Sequence, residues 1–186
     1  MKKLLCLSAA LFAAAIVVIA NPMITGGGHN AKKKKETNKD SQTGKIEVTL
    51  LPPTRAVEFA FSQDFPNAKY VTWSEGDFVE VSFLDNDVMK NAYYDQENNL
   101  VGTTTDVDAT ALPAEALDRI DKKYPGYTIE KVVFFDDNEA NDTDMSLFNQ
   151  SFEDEDNYFP LLVKDSKKII LKVSPEGEVS FFENYK

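Results

Sequence analysis

The chain has 186 residues, 42% of them apolar, with 13 phenylalanines and a formal net charge of −11. That is enough chain and enough apolar content for one packed domain of ordinary size, and it excludes a wholly disordered protein. The acidic balance argues against nucleic acid, whose phosphates recruit lysine and arginine, and against docking on an anionic membrane surface.

MKK opens the chain, and LLCLSAALFAAAIVVIA follows over residues 4–20. A short basic start, an apolar run and a small residue at its end read as a secretory signal peptide, residues 1–20, cleaved after Ala20. An uncleaved anchor is the alternative, since seventeen apolar residues sit at the lower limit for a membrane span. Cys6 is the only cysteine and leaves with the signal, so the exported chain has no thiol for a disulfide, a nucleophile or a metal. Lys2 and Lys3 leave too, which leaves 18 basic against 31 acidic residues, a net of −13. Residues 21–45 read as a flexible tether, with Gly26–Gly28 and the solvated run Lys32–Lys35. After signal cleavage nothing here calls for a membrane.

Ile46, Val48 and Leu50 alternate with polar residues and predict a short strand, stopped by Pro52-Pro53. Residues 54–65 predict a helix capped by Thr54, with Val57, Ala60, Phe61 and Phe65 on one stripe. Pro66 ends it. Strands are predicted at 69–73, 78–84, 88–94 and 100–107. Their short polar connections make an antiparallel meander. A second helix, 112–124, carries Ala116, Leu117, Ile120 and Tyr124 on its apolar stripe and ends at Pro125-Gly126. Strands at 127–135, 157–165, 167–173 and 178–182 follow. The chain therefore reads as α+β, with two tandem helix-plus-four-stranded antiparallel units at about 46–107 and 108–186. Apolar parity agrees between the later strands of the two halves but not between the first strands, where a bulge would reconcile them. Pro160, inside a predicted strand, fits an edge or a bulge better than a central position. The halves differ most at 136–157, an acidic insertion with nine acidic residues, no basic ones, and an apolar island of Met145, Leu147, Phe148 and Phe152.

Phe65-Pro66-Asn67-Ala68, Trp73, Leu112-Pro113 and Tyr124-Pro125-Gly126, in this order and spacing, resemble the PepSY-like family. These are exported proteins, mostly of Bacteroidetes-type bacteria, often labelled beta-lactamase-inhibitor-like. The resemblance runs from about Ile46 to Phe182, within a domain spanning 46–186. It implies a fold similar to the beta-lactamase inhibitor protein, with antiparallel sheet on one side and the helices on the other. No inhibitory contact residue carries over.

No catalytic constellation is legible. The only histidine, His29, lies in the tether, and there is no metal-ligating Cys/His cluster or phosphate-binding glycine loop. The chain reads as a non-enzyme without a cofactor. Calcium is the one ion the residues suggest, through Asp137, Glu139, Asp142 and Asp144, but no EF-hand glycine or distal glutamate is in register, and a solvated acidic loop is the plainer reading. For partner binding the candidates are Met89 and Tyr93, which share the strand parity opposite to Ala92 and Tyr94, and Trp73, which fits a core position at least as well. The sequence thus points to an exported, non-catalytic binding or inhibitory module for a protein or peptide in the periplasm or outside the cell. The alternative is a calcium-responsive structural or envelope-stress protein using the acidic loop.

Overall fold

A computed structural model describes residues 48–49 and 51–185. The expected signal peptide at 1–20, the expected tether with His29 and Lys32–Lys35, and Ile46 of the first predicted strand lie outside the described residues. Contacts divide the chain into Met1–Ser41 and Gln42–Lys186, and everything below concerns the second unit. No helix among the described residues is long and apolar enough to cross a membrane.

The elements in chain order are β1 (Val48–Thr49), α1 (Arg55–Asp64), β2 (Lys69–Glu75), β3 (Val79–Asp85), β4 (Val88–Tyr94) and β5 (Leu100–Val107). A short 3-10 turn (Ala109–Ala111) leads into α2 (Ala114–Lys123). Then come β6 (Thr128–Asp137), β7 (Met145–Leu147), β8 (Gln150–Phe152), β9 (Asn157–Lys164), β10 (Lys167–Val173) and β11 (Val179–Asn184). Nine strands form one antiparallel sheet in the order β1-β2-β3-β4-β5-β6-β9-β10-β11, and β7 pairs with β8 apart from it. The meander arises because turns of two to five residues leave antiparallel neighbours as the only reachable partners.

The helix boundaries follow from local chemistry. Thr54 accepts the Val57 amide at 3.2 Å and so caps α1. Both helices leave through the same geometry. Phe65 (φ −129°, ψ 67°) and Tyr124 (φ −123°, ψ 60°) stand just before Pro66 and Pro125, and each donates its amide four residues back at 2.8 Å. The proline forbids another helical turn and turns the chain towards its strand.

Cross-strand register places both helices on one face of the sheet. Ala92 faces Thr103, which faces Asp136, and Val107 faces Val132. Side chains of a strand alternate, so the face holding Ala92 continues into the face holding Val132. Val57 and Phe61 of α1 pack there with Trp73, Val81, Phe83, Ala92 and Tyr94. Ala116 and Ile120 of α2 pack with Val132, Leu162, Leu171 and Val173. The Tyr94 hydroxyl ties sheet to helix by donating to Asp64 at 2.8 Å.

A bulge reconciles the first strands with the rest. Register shifts between Lys69 and Thr72, where Tyr70 adopts φ 55°, and again between Ile129 and Lys131. Pro160 departs from expectation, because β9 is central, between β6 and β10. Its place is explained by the ladder. The β9–β10 pairing runs through Leu161↔Ile170 and resumes at Tyr158↔Val173, so Pro160 and its missing N–H fall in the interruption. Gly102 answers a different constraint: a Cβ there would lie 2.7 Å from the Asp136 carbonyl oxygen.

The acidic insertion is the largest departure. About a third of its length, residues 145–152, folds as the β7–β8 hairpin and returns over the helix-free face. Met145 and Phe152 are buried there against Tyr93, Val101, Phe135, Phe159 and Ile170. Four phenylalanines carry the contact, with ring centroids 5.1 Å apart for Phe135–Phe152, 4.9 Å for Phe152–Phe159 and 4.9 Å for Phe159–Phe182.

Candidate functional site

The helix-free face is unevenly covered. Over β6, β9 and β10 the hairpin closes it. Over β3 and β4 the hairpin reaches only as far as Tyr93, and beyond it the floor is polar. Ser82 donates to Asn91 Oδ1 at 2.7 Å, Asn91 donates to Thr104 Oγ1 at 3.3 Å, and the Thr104 and Tyr93 hydroxyls lie 3.1 Å apart. Register explains the seam, since Ser82 faces Asn91 and Asn91 faces Thr104 on successive strands. Met89, paired with Leu84, stands at one end of this face and is 57% exposed.

At the other end the hairpin tip overhangs the β2–β3 turn and leaves a cleft of about 280 Å³. One wall is Ser74, Glu75, Gly76, Asp77 and Phe78, the floor is Glu80 and Tyr93, and the opposite wall is Met145 to Asn149. Glu80 faces Tyr93 across β3–β4. Burial raises the Glu80 carboxyl above the usual range, and the Tyr93 hydroxyl hydrogen bond works against that rise. Burial, reinforced by the Glu80 charge, raises the Tyr93 phenol. The tip itself is strained. Phe148 and Asn149 have φ 53° and 63°, the left-handed pair that a two-residue hairpin loop demands, and only the asparagine is suited to it. The Phe148 ring is held towards Phe159, 6.1 Å away between centroids.

At the hairpin's base, Asp137 Oδ1 and Asp154 Oδ1 are buried without hydrogen-bond partners, as is Asn157 Oδ1. Asp137 also donates its amide to Asp156 Oδ1 at 2.8 Å. Burial first, and then the adjoining Asp154 carboxyl and the Glu139 charge, push the Asp137 carboxyl up to about 7.

The candidates named from the sequence separate. Met89 is exposed on the open face. Tyr93 is on that face but only 8% exposed, because the hairpin packs against it; it forms the cleft floor rather than a protruding contact. Trp73 is 3% exposed and packs edge-on against Phe61 at 5.4 Å, on the helix side, so it serves the core. Of Asp137, Glu139, Asp142 and Asp144, Asp137 sits in the carboxyl cluster at the hairpin base and the Glu139 charge acts on it. Asp142 lines a separate cleft with Asp64 and Asn98. Among the described residues, no group of three or more acidic, histidine or cysteine side chains is arranged to hold a metal ion. Glu80, Asp77 and Phe148 were missed. Only the hairpin's return over the sheet brings them together, and no local pattern signals that return.

No family model matches the chain, and no curated protein matches it significantly. Solved structures do. A DUF2874 family protein from Bacteroides uniformis superposes with a TM-score of 0.58 at 17% identity, covering 70% of this chain and 88% of that one. A BLIP-like protein from Bacteroides fragilis gives 0.54 at 21%, covering 78% and 92%. A structure from Bacteroides eggerthii, described as "putative periplasmic proteins", gives 0.58 at 16%, covering 70% and 88%. The chain thus has a BLIP-like α+β fold dominated by antiparallel sheet. At these identities the likeness shows fold alone.

Proposed function

We propose that this chain is an exported, non-catalytic binding module, built from two tandem helix-plus-four-strand units, that engages a protein or peptide outside the cytoplasm through its helix-free sheet face. The observation that carries this reading is the uncovered half of that face. It offers an exposed methionine, a fixed polar floor and a cleft, while the rest of the same face is sealed by the hairpin. Interfaces join apolar anchors to satisfied polar groups in this way. The BLIP-like and periplasmic descriptions of the structural neighbours support the class and compartment.

The reading is tested by immobilising the exported chain and capturing partners from envelope extract. Met89→Ser is expected to reduce capture of a specific partner about tenfold, while Phe59→Ser, on the exposed side of α1, leaves it unchanged. Equal capture by the wild type and Met89→Ser, with loss in Phe59→Ser, would move the interface to the helices.

A further inference from the structure

The cleft under the hairpin tip has two chemically opposed walls. Glu75, Asp77 and Glu80 bring three carboxylates to it, and Met145, Leu147 and Phe148 face them with apolar surface. Among the described residues, no lysine or arginine lines it. Among the described residues, no ion pair reaches any of the three acids. Its volume of about 280 Å³ falls just below the range of small-molecule pockets, so it suits one side chain better than a cofactor.

From these walls we infer that the cleft receives the side chain of an arginine or lysine presented by the partner. The aliphatic stem lies along Met145, Leu147 and Phe148, and the cationic head meets Glu80, with Glu75 and Asp77 at the rim. The inference rests on the helix-free face being the binding face and specifies what that face selects.

Three arguments support it. Long basic side chains bury their stems on apolar surface while the charged head finds a carboxylate or water, and this cleft supplies both within one side chain's length. Glu80 is half-buried on the cleft floor, where its carboxylate has lost hydration and no cation among the described residues pairs with it. A basic head would restore that balance, whereas a neutral or acidic occupant would bury the charge further. Finally, Tyr93 is locked by Thr104 and stands across from Glu80, so the floor is already in place when a ligand arrives. The chain's net charge of −11 would also speed encounter with a basic loop.

The test is a titration of the isotope-labelled exported chain with three capped tripeptides, acetyl-Ala-X-Ala-amide, where X is arginine, norleucine or glutamate. Amides of Gly76, Leu147 and Asn149 report. Saturable shifts are expected with the arginine peptide at millimolar concentration, weakening as salt is raised. The norleucine peptide, which keeps the stem and loses the charge, is expected to bind at least about tenfold more weakly, and the glutamate peptide to give no saturable shift. Glu80→Gln should weaken the arginine peptide about tenfold while the unfolding midpoint stays unchanged. Equal binding of arginine and norleucine, an unaffected Glu80→Gln, or no saturable shift with arginine would each overturn the inference. If the peptides fail while partner capture still depends on Met89, the cation assignment falls and the binding face stands. If capture is also indifferent to Met89, the face itself is wrong.

Discussion

Asp137 lies where two demands conflict. Its place at the end of β6 sets it beside Asp154, and both present a buried carboxyl oxygen to surroundings without a donor. Asp156 takes the Asp137 amide, Glu139 adds charge from the same segment, and Gly102 across the ladder offers no side chain. A proton on one carboxyl relieves the conflict, which is why the Asp137 group moves from 3.8 to about 7. The consequence for stability has a definite sign. Between pH 4 and 7 the unfolded chain has released this proton and the folded chain has not, so the contribution of Asp137 is largest below about pH 4 and is lost as pH rises to about 7. Asp137→Asn, which is neutral throughout, should be more heat-stable than the wild type at pH 7.5, with the difference shrinking towards pH 4. Thermal melts of both chains across that range check it; a difference independent of pH would show that the pair is not sharing a proton. None of this is visible in the sequence, where Asp137 is one acid among nine in the insertion. Burial is decided by what folds over it. The same holds for Tyr93, whose strand parity is legible while its cover is not, and for Trp73, whose place against Phe61 fits the plainer reading of a lone strand tryptophan.

At the level of elements, most of the architecture follows from periodicity and punctuation. The β4, β5 and β10 boundaries are those expected, and Thr54, Pro66 and Pro125 bound the helices as their chemistry requires. The bulge at Tyr70 is detectable as a parity conflict, although its position is not. Pro160 shows the limit of a residue rule. Proline is excluded from a ladder bond rather than from a central strand, and β9 omits the bond. The β7–β8 hairpin was hidden because each of its strands has three residues and its turn is Phe148-Asn149, which lacks the usual glycine signal. Its attachment is chiefly aromatic: Phe152 is 5% exposed and meets Phe135, Phe159 and Phe182. Salt bridges from Lys172 to Glu153 (2.7 Å) and Glu155 (3.4 Å) add little, because both carboxylates are solvated. Phe152→Ala is therefore expected to cost about 3–5 kcal/mol in denaturant unfolding, against less than about 1 kcal/mol for Glu153→Ala. Similar costs for the two would mean that charge rather than packing holds the hairpin down.

On the scale of the whole molecule, one sheet has two unlike faces. Two helices pack on one of them, and a hairpin covers part of the other. The sheet supplies the platform, and the acidic insertion shapes the cleft at one end of it, by the β2–β3 turn. Fold and site therefore differ in legibility. Repeated helix, proline and strand patterns encode the platform locally, while the cleft exists only after residues 74–80 and 145–149 meet across the sheet. Amide hydrogen exchange of the chain alone and with its captured partner tests most directly that the helix-free face is the working surface. Added protection is expected at Ser74–Phe78 and Ser146–Asn149, with α1 and α2 unchanged; protection confined to the two helices would contradict it.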